Sequence, residues 1–213
     1  VSPEPWKSLN TGGNLGDEPD NVHENHRRIL NAMGVSRQNL YDVWQVHSDR
    51  IVTAKTPRGM NPHQKADGIL CNVPGITLLM RFADCVPILL YDPEKNVVGA
   101  VHAGWKGTAL RIAGKAAAEM QLRYSCDPGD LIACIGPSIG VCHYEVGQDV
   151  VEAFSSFPGS QMDSIFASEG GTLYLDLWKA NELALKDAGV QLVETAGICT
   201  ACNTGEWFSH RAE

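Results

Sequence analysis

Three side chains able to bind a metal ion sit where strands are predicted to end. They are His47 in Gln45-Val46-His47-Ser48, Cys85 in Ala83-Asp84-Cys85, and His102 in Val101-His102-Ala103-Gly104-Trp105. Two imidazoles and a thiolate leave the fourth position of a tetrahedron open, which is the ligand arrangement of a catalytic rather than a structural zinc. No short zinc-finger spacing connects them, so a finger is excluded and any such site must be assembled by the fold. The same residues also read as two satisfied core histidines and one small buried thiol. Spacing alone leaves both readings open.

The elements that must position these residues follow from periodicity and turn chemistry. Residues 20–33 carry apolar side chains at near-helical spacing and stop at Gly34, which predicts a helix. β-Branched and aromatic residues predict a strand over 41–54 and three more over 76–81, 86–91 and 97–103. The polar segment Asp92-Pro93-Glu94-Lys95-Asn96 between the last two predicts an antiparallel hairpin. The Ala-rich segment 108–124 predicts one helix, capped by Thr108 after Gly107. A strand over 130–135, helices over 144–154 and 176–188, and a last strand over 190–195 complete the reading. Hairpins mixed with crossovers imply an α+β (α/β-like) fold with mixed β-sheets covered by helices.

The chain has 213 residues, within reach of one domain spanning 1–213, and domains of this size bury roughly 70% of their unfolded surface. The hydrophobic share of 44% and charged share of 20% are ordinary for a globular protein, and no apolar run could cross a bilayer. A net charge of −8 without a Lys/Arg cluster argues against nucleic-acid partners and for small substrates. Seven cysteines, an odd number, read as reduced thiols, and the first residues show neither a basic leader nor an apolar stretch, so a cytoplasmic location is expected.

Five ordered motifs carry a resemblance. They are Gln45-Val46-His47, Ala66-Asp67-Gly68, the run from Ala83-Asp84-Cys85 to Tyr91-Asp92, His102-Ala103-Gly104-Trp105-Lys106-Gly107-Thr108, and Ile135-Gly136-Pro137-Ser138-Ile139-Gly140 followed by Tyr144-Glu145-Val146-Gly147. Together they resemble the YfiH family, also called polyphenol oxidase-like or laccase-domain, over essentially the whole chain. The resemblance implies a YfiH-type fold, grouped with the catalytic domain of the cytotoxic necrotizing factors, and a metal site on His47, Cys85 and His102. It also implies phosphorolysis of adenosine, inosine, guanosine and methylthioadenosine, and deamination of adenosine. The expected cofactor is zinc, with copper possible, and the expected partners are a purine nucleoside and phosphate, with no nucleic acid and no membrane, in a monomer or homodimer.

On this reading Asp84 joins His47, Cys85 and His102 as a catalytic proton carrier, and Asn10, Gln45, Arg81, Lys106 and Arg211 bind substrate, the last three offering charge to phosphate. Many family members have Arg where Lys106 stands, so the planar fork is lost while the charge is kept. Ala212 stands in place of a second Arg after Phe208-Ser209-His210-Arg211.

Two other functions compete. A copper-dependent polyphenol oxidase would need His-x-His pairs, and the sequence has none. A Cys/His hydrolase editing peptidoglycan precursors would use Cys85 as nucleophile and His102 as base. Cys199-x-x-Cys202 has the spacing of a metal half-site, but no second pair is evident in sequence. Adjacent Cys142 and His143 would diverge on any regular strand or helix and are left outside the site.

Overall fold

The computed structural model describes residues 1–13 and 15–212. In chain order, α1 is Pro19–Ala32, β1 Leu40–Asp42, β2 Ile51–Thr53, β3 Gly68–Cys71, β4 Thr77–Leu79, β5 Val86–Asp92 and β6 Val97–Ala103. Then come α2 Trp105–Ala109, α3 Ile112–Tyr124, β7 Ile132–Ile135, β8 Glu145–Val146, α4 Gln148–Ala153, α5 Gly159–Ile165, β9 Phe166–Glu169, β10 Thr172–Leu175, α6 Leu177–Asp187 and β11 Leu192–Thr195.

A six-stranded mixed sheet in the order β11-β7-β5-β6-β3-β2 forms the centre. β5 and β6 make the antiparallel hairpin expected from the 92–96 turn, in register from Val86↔Ala103 to Asp92↔Val97. Asp92 closes that turn by accepting the amides of Glu94 and Lys95. The outer pairs β2/β3 and β7/β11 are parallel, as crossover connections require. A parallel pair β1/β4 and an antiparallel trio β8-β10-β9 stand apart from the main sheet. This is the mixed α+β architecture expected from the irregular alternation of elements.

Strand alternation sends side chains to two faces. Leu70 of β3 faces a large core with Val86, Ile88 and Leu90 of β5, covered by Ile112, Ala116 and Met120 of α3 and Ala180 and Ala184 of α6. Ile69 and Cys71 of the same strand face a smaller core with Tyr41, Val43, Val52 and Ala66. No helix among the described residues is long and apolar enough to cross a membrane.

Three expected elements are differently built. Residues 41–54 are not one strand. They break between β1 and β2, where His47 takes a positive φ of 59° and the Asp67 carboxylate draws in the amides of Val46, His47 and Ser48. The expected helix over 108–124 is two helices, because Arg111 is left-handed (φ 61°) and sends its guanidinium over the Phe157 ring; Thr108 lies inside α2 and caps nothing. Residues 144–154 begin as strand, since Glu145 and Val146 pair with Tyr174 and Leu173.

Candidate metal centre

His47 projects from the break between β1 and β2, Cys85 from the residue before β5, and His102 from the end of β6. The β5/β6 register sets Val86 opposite Ala103, so Cys85 and His102 arrive at the same end of the hairpin. Their donor atoms lie within 4.8 Å of one another, with Cys85 Sγ 3.7 Å from His47 Nε2. A tetrahedral zinc with bonds of ~2.3 Å to sulfur and ~2.0 Å to nitrogen separates such a donor pair by ~3.5 Å, so Cys85 and His47 already stand close to the spacing an ion requires. The imidazoles meet edge to face, ring centroids 4.9 Å apart. Gly104 makes this approach possible. A Cβ there would stand 2.9 Å from His47 Cδ2 and 3.0 Å from Cys85 Sγ.

Asp67, wholly buried, organises the site. It accepts His102 Nδ1 at 2.9 Å, the Ser48 amide and hydroxyl at 2.7 Å each, and the His47 amide at 3.0 Å. Fixing the proton on Nδ1 of His102 leaves Nε2 with its lone pair free to coordinate. Three donated amides hold His47 in a conformation that costs a residue with a Cβ ~1–2 kcal/mol. Burial alone would raise the Asp67 carboxyl, but the hydrogen bonds from His102, Ser48 and the His47 amide bring it down to about 2.

The other two groups respond to the same surroundings. Burial, then the neighbouring His102 and Lys106, push the His47 imidazole below its usual range, which favours the neutral form a metal needs. Burial, then the Asp84 and Asp67 charges, push the Cys85 thiol up to about 12. Without a cation this sulfur keeps its proton at neutral pH, so it suits a ligand better than a free nucleophile.

The remaining expected site residues divide into two groups. Asp84, at φ 78°, adjoins Cys85, but both its oxygens hold the C-terminal segment: Oδ1 accepts from Thr200 Oγ1 at 2.6 Å and Oδ2 from the Arg211 amide at 2.7 Å. The Arg211 side chain donates to the Glu145 carbonyl and lies over the ring of half-buried Tyr144, whose phenol desolvation pushes up to about 12. Lys106 Nζ lies over Trp105 and is near enough to depress His47. Asp84 and Lys106 thus adjoin the cluster, and Arg211 is tied to it through Asp84.

Asn10, Gln45 and Arg81 are more heavily engaged in holding the fold. The Gln45 amide makes a two-way hydrogen bond with the backbone of Arg81. Arg81 Nε donates to the Thr11 carbonyl and its guanidinium pairs with Asp42. Asn10 is buried against Asp17, Asn25 and the Gly12 amide. Asn10 and Arg81 nevertheless line a cavity of about 390 Å³ that also presents the rings of Trp6, Phe82 and Phe208. Phe82 stands between cavity and cluster, its ring centroid 5.5 Å from that of His102.

Sequence reasoning passed over Asp67, Ser48, Tyr144 and Phe82 as site residues. Asp67, Ser48 and Tyr144 were visible within quoted segments, whereas Phe82 gave no signal beyond adjacency to one. It also set aside Cys142, His143, Cys199 and Cys202, which the structure brings together. Cys142 and His143 lie in a turn, neither strand nor helix, so adjacent side chains converge, and they supply the second pair that Cys199-x-x-Cys202 lacked.

Comparison with known proteins agrees with this architecture. The family described as "Multi-copper polyphenol oxidoreductase laccase" matches residues 1–213. "Purine nucleoside phosphorylase YlmD" of Bacillus subtilis is 34% identical over 222 residues, spanning 100% of this chain and 80% of its own. "Purine nucleoside phosphorylase YfiH" of Escherichia coli is 30% identical over 218 residues, spanning 100% of this chain and 84% of its own. Among solved structures, the Bacillus licheniformis hypothetical protein YfiH superimposes with a TM-score of 0.93 at 33% identity, covering 99% of this chain and 83% of that one.

Proposed function

Because this chain belongs to the YfiH family of laccase-like proteins, we propose that it is a single-domain, metal-dependent purine nucleoside phosphorylase with a second activity as an adenosine deaminase. The proposed substrates are phosphate with adenosine, inosine, guanosine or methylthioadenosine, and the proposed ion is zinc at His47, Cys85 and His102. The observation that carries this reading is the convergence of those three donors beside a cavity lined by aromatic rings.

The chemistry follows from the positions of these residues. Trp6, Phe82 and Phe208 offer faces on which a purine can stack. Lys106 and Arg211 bring positive charge to the phosphate, which replaces the base at C1′ of the ribose. The C1′–N9 bond breaks, a C1′–O bond to phosphate forms, and the departing purine takes the proton that phosphate gives up. Tyr144, whose phenol burial pushes up to about 12 and so keeps protonated at neutral pH, lies by Cys85 and can relay that proton. Asp84 accepts the Thr200 hydroxyl and the Arg211 amide, and so holds Arg211 beside the cluster. His47, Cys85 and His102 would hold a divalent ion, which would supply the Lewis-acid polarisation that hydrolytic deamination at purine C6 requires.

The competing hydrolase reading needs Cys85 as a free thiolate, and the surroundings that push the thiol up to about 12 oppose it. Seven free thiols fit the reducing cytoplasm we propose as its compartment, as a monomer or homodimer. The test is elemental analysis of protein purified without added metal, with adenosine assayed with and without phosphate. Zinc, with adenine and ribose 1-phosphate formed by the wild type and not by Cys85→Ala, is the expected result. Equal turnover by both proteins, or copper with phenol oxidation in place of nucleoside cleavage, would overturn the proposal.

A further inference from the structure

A second group of donors, sharing no residue with the first, takes no part in the chemistry above. Cys142 and His143 occupy the turn that follows the Gly136-Pro137-Ser138-Ile139-Gly140 loop after β7, and Cys199 and Cys202 lie in the segment beyond β11. All four donor atoms lie within 4.8 Å of one another. His143 Nδ1 is 3.2 Å from Cys142 Sγ, 3.4 Å from Cys202 Sγ and 3.8 Å from Cys199 Sγ, and the Cys142 and Cys202 sulfurs are 3.6 Å apart. A tetrahedral zinc separates its sulfur ligands by ~3.8 Å and a sulfur from a nitrogen by ~3.5 Å. The four atoms already stand close to the corners of that figure.

The surrounding hydrogen bonds also suit a bound ion. The Gly140 amide donates to Cys199 Sγ at 3.2 Å, as amides do to metal-bound thiolates. The two segments are joined by Ser138, whose amide bonds the Ile198 carbonyl and whose carbonyl accepts the Thr200 amide. Trp178 fixes the Ser138 hydroxyl at 2.7 Å, and Asn203 holds the Cys199 carbonyl at 2.8 Å. Gly140 permits the closeness, since a Cβ there would stand 3.2 Å from Cys199 Cβ and 3.4 Å from Cys142 Sγ. Three cysteines and a histidine leave no ligand position open, which distinguishes this group from the first.

We propose that Cys142, His143, Cys199 and Cys202 form a closed, structural zinc site that fastens the C-terminal segment to the loop after β7. Binding Zn²⁺ displaces the thiol protons to solvent and joins two stretches of chain that share only a few backbone bonds. The fastened segment carries Thr200 and Arg211, which bind Asp84, and Phe208 and His210, which line the cavity.

The test is titration of the reduced, metal-free full chain with Co²⁺ and then Zn²⁺, read by visible absorption and by native mass. Wild type is expected to bind two ions, and His102→Ala one, retaining the intense sulfur-to-cobalt charge transfer of three thiolates. Cys202→Ser is expected to bind one ion with the weak charge transfer of one thiolate, and to be cut by protease in the C-terminal segment. A single ion in the wild type that vanishes in His102→Ala overturns the proposal. So does a Cys142–Cys202 disulfide, seen as a native chain lighter by two hydrogens that takes up no second ion after reduction. Wild type and His102→Ala decide the matter if Cys202→Ser does not fold.

Discussion

Replacing Asp67 by Asn removes one charge, keeps the shape, and separates two effects that the carboxylate combines. In the native chain Oδ1 accepts from the His47 amide and His102 Nδ1, and Oδ2 accepts from the Ser48 amide and hydroxyl. An amide has one oxygen, so its NH₂ must face one of these donor sets. If it faces His102, the imidazole satisfies it by becoming an acceptor at Nδ1, and its proton moves to Nε2, the atom that must hold the metal. If it faces Ser48, two donors oppose each other in a fully buried site. Hydrogen bonds to a charged acceptor contribute ~1.5–3 kcal/mol each, and losing two costs ~3–6 kcal/mol, a large share of the ~5–15 kcal/mol that stabilises a domain. Loss of such an outer partner also weakens metal binding by about 10–100-fold. Urea unfolding of the metal-free protein measures the first effect, and competition with a chelator measures the second. An Asp67→Asn variant that unfolds within ~1 kcal/mol of wild type and holds zinc within about twofold would refute the role assigned to this carboxylate.

Three further outcomes follow from the same geometry. Gly104→Ala places a methyl against His47 and Cys85, and should lower zinc affinity at least tenfold by chelator competition while circular dichroism stays native, since ligand placement tolerates only about 0.5 Å. Lys106→Gln should raise KM for phosphate about tenfold, equivalent to ~1.4 kcal/mol, and leave deamination of adenosine unchanged in a coupled assay. In acid, Asp67 titrates at about 2 in the folded metal-free chain against an ordinary 3.8, so its contribution is fully present above pH 3.8 and disappears as the pH falls towards 2. The loss amounts to roughly 2 kcal/mol, read as a falling urea midpoint in wild type and a flatter profile in Asp67→Asn.

How much of this was legible before folding depended on whether the determining contact was local. The β5/β6 hairpin was, because its register is set by a turn whose Asp92 sits in the same short segment. So was α6, opened by the Asp176 side chain on the Lys179 amide and closed at Gly189. The break at His47 was not. Residues 41–54 have strand composition throughout, and what bends them is a carboxylate some twenty positions further on, accepting three amides in a row. The same holds for the two Cys/His groups. His47, Cys85 and His102 were named because each sits in a recognisable motif, whereas Cys142 and His143 were dismissed by an argument valid only for regular backbone. A turn abolishes the strand and helix periodicities on which that argument rested. Chemistry placed on irregular backbone is therefore hardest to read from spacing. Here His47 and all four residues of the second group occupy such backbone, at the break before β2 and in the loops beyond β7 and β11, where a neighbouring segment rather than local propensity decides where a side chain points.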